Sequence, residues 1–187
     1  YSSLKLGGLF FGTTAVGNTH KELPNKYDLV EQDMQIISTD SLGLLACLGL
    51  YIITNLDNII IEKMNKYGIE REKVNQLKDM ALKNLTEPKV SIGKIISKYL
   101  PDFENLFDVQ SHILVTHPIS KNGVTSFLEL SKLINNEIVI DHVPYVDNNI
   151  KNFLLKEHLI SNVSASTPDT NMIIVSKDFA TTILEEL

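Results

Sequence analysis

The sequence predicts a mainly α protein of the α+β class, in which one small β-hairpin accompanies a series of helices. Hydrophobic residues make up 43% of the 187-residue chain, enough for a conventional core. After residue 40, apolar residues recur three or four positions apart through most of the chain, which is the spacing of amphipathic helices. Near the C-terminus the runs ISNVS and NMIIV lie on either side of a polar loop and are spaced to pair as a hairpin.

Residues 1–101 are predicted to form a mainly helical region behind an irregular, glycine-rich N-terminal segment. Within that segment, LFF and MQIIS carry weak strand signals. A buried helix is expected at residues 41–53, with an N-cap supplied by residues 38–40. Gly43, Ala46 and Gly49 recur every three residues in it. They form a small stripe against which another helix is expected to pack closely.

Three more helices are predicted before residue 101, each ended by a recognisable signal. NIIIEKMNKY is followed by Gly68, a residue typical of helix C-termini. IEREKVNQLKDMALKNL is the clearest amphipathic helix and is broken at Pro88, and KVSIGKIISKYL is stopped by Pro101. The break near Pro101 is the predicted boundary between residues 1–101 and a second domain at 102–187.

The second domain is predicted to contain further helices, a short strand and the hairpin. The runs ENLFDVQSHILVTH, VTSFLELSKLI and VPYVDNNIKNFLLKEHLI have helical spacing, and EIVI is a short strand candidate. Ser176 is placed to cap a final helix, DFATTILEEL. A winged helix-turn-helix module has this order of elements: three helices followed by a two-stranded wing.

The run LLKEHLI and the later run NMIIVSKDFATTILEEL resemble the corresponding parts of the MarR-type group of winged-helix regulators. In that group a leucine-rich helix end precedes a β-hairpin wing, and the second wing strand enters a further helix. Ser176 stands where the group tends to have threonine, and His158 where it favours glycine. The resemblance covers about residues 107–187 and implies a winged-helix-like module whose third helix contacts DNA.

The charge distribution opposes DNA binding. The chain has a net charge of −6 and one arginine, Arg71, among its 17 basic residues. Residues 107–187 contain five lysines and ten acidic residues, and the predicted wing at 161–176 has no basic residue. Since phosphate neutralisation by Lys and Arg supplies most nonspecific DNA affinity, this module is poorly equipped for it.

The exposed face of the third helix is nevertheless the predicted binding surface of the module. Asparagine can read adenine in the major groove, and aromatic and amide side chains also anchor protein partners. The predicted contact residues on this face are Tyr145, Asn148, Asn149, Asn152 and Lys156.

No motif predicts catalysis, a metal or a cofactor. HExxH, CxxC and phosphate-binding glycine motifs are absent from the sequence, and the five histidines lack ligand spacing. The apolar run at 42–53 is far shorter than the ~20 residues of a membrane span, and the single cysteine, Cys47, requires no oxidising compartment. A cytoplasmic protein with no membrane span is therefore expected.

These observations predict an acidic, non-enzymatic module that binds a protein partner or a second copy of itself. The alternative is a winged-helix DNA-binding transcriptional regulator. A third hypothesis is a hydrolase or nuclease whose active site carries no recognisable motif.

Overall fold

The structure is a computed structural model that describes residues 25–102, 104–119, 122–167 and 169–187. It is an α+β fold in which helices surround a three-stranded antiparallel sheet. The strands and α-helices of the described residues follow one another in this order: β1 (Gln35–Ser38), α1 (Leu44–Leu56), α2 (Asn58–Lys66), α3 (Arg71–Thr86), α4 (Val90–Lys98), β2 (Val115–Pro118), α5 (Ser126–Ile134), α6 (Asn148–Lys156), β3 (Asn171–Val175) and α7 (Lys177–Glu186).

The strand β3 is the centre of the sheet, with β1 on one side and β2 on the other. Ile174 is opposite Ile36 in β1 and opposite Val115 in β2. Because side chains alternate along a strand, Ile174 and its neighbour Ile173 point to opposite faces of the sheet. Both are fully buried, so β3 is covered by other elements on both faces.

Three apolar clusters form the core. One face of the sheet packs with α5 around Leu130 and Ile134, and the opposite face packs with α7 around Ala180 and Ile183. The third cluster is formed by helices α1, α2, α3 and α6. In it α3 buries Val74, Leu77 and Ala81, which recur at the spacing of an amphipathic helix as the sequence predicts, while Met80 and Leu85 are exposed.

The predicted ends of several helices are confirmed. Gly68 follows α2 with φ +67°, and its N–H donates to the carbonyl of Asn65 while that of Ile69 donates to the carbonyl of Met64. This is the Schellman arrangement, which needs a residue in the left-handed conformation. The same arrangement ends α6, where the residue with positive φ (+52°) is His158. Histidine thus occupies a backbone position that favours glycine.

Three predicted elements are wrong. Residues 104–117 do not form a helix; they contain turns and then β2. The run EIVI is not a strand, and ISNVS does not pair with NMIIV. The hairpin cannot form because both edges of β3 are already occupied by β1 and β2, strands that lie far away in the sequence.

The polar loop before β3 has a structural role in place of the hairpin. The Ser166 hydroxyl donates to the carbonyl of Ile119 at 3.0 Å, and the Ser164 hydroxyl accepts from the N–H of Val124 at 3.0 Å. Both serines are buried. Gly123 has φ +55° and lies so close to this loop that a Cβ there would be 2.2 Å from the Ser164 carbonyl oxygen. The loop is therefore held by hydrogen bonds and close packing against the segment that leads into α5.

Helix α1 is buried as predicted, but its start and its small stripe differ from the prediction. The helix begins after Gly43 (φ +93°), and no side chain caps it. The predicted capping residue Asp40 instead accepts a 2.6 Å hydrogen bond from Lys89. A Cβ at Gly49 would lie 2.8 Å from Cδ1 of Ile160. Gly49 therefore faces the chain after α6 and not a helix, whereas Ala46 is buried in the cluster that includes α3.

Contacts cross the predicted domain boundary near Pro101. β1 pairs with β3, and α6 packs with α1, α2 and α3 in one cluster. The division into 1–101 and 102–187 stays a prediction. Among the described residues no helix is long and apolar enough to cross a membrane. The predicted strand LFF and the glycine-rich segment lie outside the described residues.

Candidate functional site: the outward face of helix α6

The helix α6 has one buried face and one outward face. Ile150, Phe153 and Leu154 are buried in the helical cluster. Asn148, Asn152 and Leu155 lie on the opposite side, because positions four and three residues apart align along a helix. All three are exposed, and Leu155 is 49% exposed. We call the stripe formed by Asn148, Asn152 and Leu155 the α6 stripe.

The N-terminal end of α6 is fixed by a side-chain cap. Asp147 precedes the helix in an extended conformation, and its Oδ1 accepts from the N–H of Ile150 at 2.9 Å. This is the interaction expected of an aspartate N-cap, and its negative charge also suits a helix N-terminus. The α6 stripe therefore begins at a rigid helix end.

The C-terminal end of α6 is tied to α2 and to the turn that follows it. Phe153 makes an edge-to-face contact with Tyr67 at a centroid distance of 5.1 Å. Glu157 accepts hydrogen bonds from Lys63 at 2.5 Å and from the hydroxyl of Tyr67 at 3.2 Å. The hydrogen bond from Lys63 is the main reason why the pKa of Glu157 is lowered. The helix is held at both ends, so its outward face is preorganised.

Two lysines flank the α6 stripe, and each lies over an aromatic ring. The Nζ of Lys151 is 4.4 Å from the ring centroid of Tyr145, and the Nζ of Lys156 is 5.4 Å from that of Tyr67. Both distances are in the range of cation–π contacts. Within the described part of the chain, no carboxylate forms an ion pair with either lysine.

Tyr145 differs in position from the other predicted contact residues. It precedes α6 and is half-buried beside Leu42, with which it forms an isolated parallel bridge. The N–H of Leu42 donates to the carbonyl of Pro144 at 2.7 Å, and that of Val146 donates to the carbonyl of Leu42 at 2.9 Å. Burial raises the pKa of the Tyr145 hydroxyl. Tyr145 therefore supports Lys151 and does not itself belong to the exposed stripe.

A cleft of about 250 Å³ adjoins the N-terminal half of α6. Its walls are the turn between α2 and α3 on one side and the start of α6 on the other. Asn149 lines it together with Glu70, Lys73 and Asp147. The predicted residues thus divide into two groups: Asn148 and Asn152 on the stripe, with Lys156 at its edge, and Asn149 at the cleft.

The described residues contain no group of side chains suited to a metal ion. None of their histidine, cysteine, aspartate and glutamate side chains form a group of three that could hold a metal ion, and His20 lies outside the described residues. Cys47 is buried, and burial, with the nearby Asp147 carboxylate, raises the pKa of its thiol to about 12. A thiol with so high a pKa is a poor nucleophile at neutral pH. Cys47 is a core residue.

Sequence reasoning missed Leu155 and the far wall of the cleft. A leucine at helical spacing is usually assigned to the core, so only its exposure identifies Leu155 as a surface residue. Glu70 and Lys73 precede Asn149 by more than seventy positions, and only the packing of α6 on α2 and α3 brings them beside it.

Comparison of the chain with protein-family models, with curated proteins and with solved structures found no match.

Proposed function

We propose that the chain is a non-enzymatic module that binds a protein partner through the α6 stripe. The arrangement of side chains around the exposed Leu155 carries the proposal. This leucine lies between two lysines and continues a line of two asparagines on a helix that is fixed at both ends. Exposed apolar side chains surrounded by polar groups are typical of interface centres, and a rigid helix loses little entropy when it binds. A second copy of the chain is one such partner.

Two finer parts of the proposal concern architecture and location. The order of α5, α6, β3 and α7 supports a winged-helix-like arrangement of residues 107–187, whereas the pairing of β3 with β1 and β2 replaces the hairpin that the resemblance implies. We also propose a cytoplasmic location, because the single cysteine is buried and the fold uses no disulfide among its described residues.

A DNA-binding regulator is the second candidate, and the exposure of Asn148, Asn152 and Lys156 favours it. Asparagine side chains on an exposed helix can hydrogen-bond to adenine in the major groove. The net charge of residues 107–187, with five lysines against ten acids, opposes it because DNA would approach a largely negative surface. A protein partner can bind a small part of the surface and need not approach the acidic remainder of the module. Protein binding is therefore better supported than DNA binding.

The test is selection from two pools in parallel, a displayed library of random peptides and a pool of random duplex DNA. The wild type is compared with the double variant Asn152→Ala, Leu155→Ala. Leu128→Ala is the matched control, because Leu128 is an exposed leucine (67%) on another helix, α5. Tyr145 is left unchanged because it is partly buried against the apolar cluster formed by the sheet and α5.

We expect the selected peptides to bind the wild type and the Leu128 variant with equal affinity. Their affinity for the double variant should be lower by about tenfold or more, a loss typical of residues at the centre of an interface. Equal circular dichroism spectra and melting temperatures of the three proteins serve as the folding control. Peptides that bind all three proteins equally would contradict the proposal. A DNA consensus bound at nanomolar strength and lost in the double variant would establish the regulator instead.

A further inference from the structure

We infer that the partner of the α6 stripe is an acidic polypeptide segment whose carboxylates meet Lys151 and Lys156 on either side of Leu155. This inference rests on the proposed function and specifies the chemistry of the partner. It follows from where the positive charge of this acidic chain is still available for an intermolecular contact.

Several lysines of α2, α3 and α4 differ from the two lysines of α6, because carboxylates of the same chain form ion pairs with them. Among the described residues, three ion pairs join a lysine of these helices, or the lysine just before α4, to a carboxylate in a distant segment. Two more ion pairs join near neighbours in the sequence. The pairs are Lys63–Glu157, Lys89–Asp40, Lys98–Glu186, Lys78–Asp79 and Lys83–Glu87. The charges of these five lysines are therefore used inside the molecule.

The carboxylates next to α6 form no ion pair with its two lysines, although the charge of Lys156 helps to lower the pKa of Glu157. Asp147 accepts the capping hydrogen bond from Ile150, and Glu157 accepts from Lys63 and Tyr67. Lys151 and Lys156 contact aromatic rings instead. A ring contact orients an ammonium group and leaves its N–H donors able to bind a carboxylate.

The positions of the two lysines on α6 define the spacing that a partner must match. Lys156 lies five positions after Lys151, so their Cα atoms are about 7.5 Å apart along the helix axis at 1.5 Å per residue. Leu155, at the C-terminal end of the α6 stripe, lies between their positions around the helix. Two carboxylates about one to two helical turns apart, with an apolar side chain between them, would match this pattern of charge and apolar surface.

A short acidic polypeptide fits this pattern better than a nucleic acid. Leu155 offers an apolar contact, for which a peptide can supply an apolar side chain while its carboxylates contact the lysines. A long polyanion would extend beyond the two lysines onto a surface where acids outnumber lysines by ten to five in residues 107–187. The local positive charge therefore selects a small anionic segment.

The experiment uses the full chain and a displayed library of random peptides with balanced charge. Selected peptides are synthesised, and their affinities are measured by fluorescence anisotropy over a NaCl series. The test variant is Lys151→Gln, Lys156→Gln, which keeps side-chain length and removes both charges. The matched control is Lys132→Gln, Lys177→Gln, because these lysines are exposed on α5 and α7. Random duplex DNA is added as a competitor.

We expect the selected peptides to be enriched in Asp and Glu, to weaken with added salt, and to bind the test variant about five- to tenfold more weakly than the control. Peptides that lose affinity for the Asn152→Ala, Leu155→Ala variant but show no acidic enrichment and no response to the lysine substitutions would overturn this inference alone. Peptides indifferent to both variants, or no selected peptide, would overturn the proposed function as well. Displacement of the peptides by submicromolar random DNA would assign the lysines to a nucleic acid.

Discussion

Replacement of His158 by glycine should stabilise the protein, because His158 occupies the left-handed residue of the Schellman motif that ends α6. Its φ is +52°, a conformation that costs a non-glycine residue about 1–2 kcal/mol. Glycine would remove that cost but would lose about 0.5–1 kcal/mol through its greater freedom in the unfolded chain. The net gain in the free energy of unfolding is therefore about 0.5–1 kcal/mol.

Gly68 provides the matched control, since it occupies the equivalent position after α2 with φ +67°. A Cβ at Gly68 would meet no atom within 4 Å, so Gly68→Ala tests backbone conformation alone. It should destabilise the protein by about the amount that His158→Gly stabilises it.

Urea unfolding followed by far-ultraviolet circular dichroism measures both changes, as opposite shifts of the midpoint at an unchanged slope. For a chain of this length, the expected gain at His158 corresponds to a rise in melting temperature of about 1–4 °C. A loss of stability in His158→Gly, with the expected loss in Gly68→Ala, would refute the reasoning, since it would mean that the imidazole makes a contact worth more than the backbone cost.

Three further predictions concern packing and pH. Gly123→Ala should cost about 3 kcal/mol or more in urea unfolding, because its Cβ would lie 2.2 Å from the Ser164 carbonyl oxygen; an unchanged midpoint would disprove this close approach. Leu154→Ala should cost about 2–5 kcal/mol in thermal unfolding, because the residue is 1% exposed, and a loss below about 1 kcal/mol would contradict its burial. The hydrogen bond from Lys63 lowers the pKa of Glu157 in the folded protein. The contribution of the Glu157 carboxylate to the free energy of unfolding is therefore present above the ordinary carboxyl pKa and is lost as pH falls through the pKa of the folded state. Glu157→Gln should therefore lose less stability than the wild type on acidification, and identical pH profiles of unfolding would count against that linkage.

Most helices could be predicted from the sequence because their signals are local. The break at Pro88, the glycine after α2 and the apolar spacing of α3 and α6 act within a few residues, and the observed helices follow them. The segment at 104–117 shows where this reasoning fails. Leu106, Val109 and Ile113 have helical spacing, yet Leu106 is 80% exposed and the chain continues into β2. Pairing with β3 decides its structure, and no local pattern encodes that partner.

The candidate site was predictable in part for the same reason. The polar positions of α6 follow from its periodicity, so Asn148, Asn152 and Lys156 were expected to be exposed and are. Tyr145 was expected on the same surface, but its backbone pairs with the chain at Leu42 and turns the ring towards the core. Leu155 could not be separated from core leucines without knowledge of which face of the helix is covered.

The central position of β3 has a consequence for the nascent chain. The side chain of Thr39, at the end of β1, accepts a hydrogen bond from the N–H of Asn171, which lies 132 residues later. At a synthesis rate of about 5–20 residues per second, that interval corresponds to roughly 7–26 s. Throughout it, β1 and then β2 emerge with apolar side chains and unpaired backbone groups but without their common partner. Because β1 and β2 must wait for a partner that lies far later in the sequence, the sheet is expected to form late in refolding.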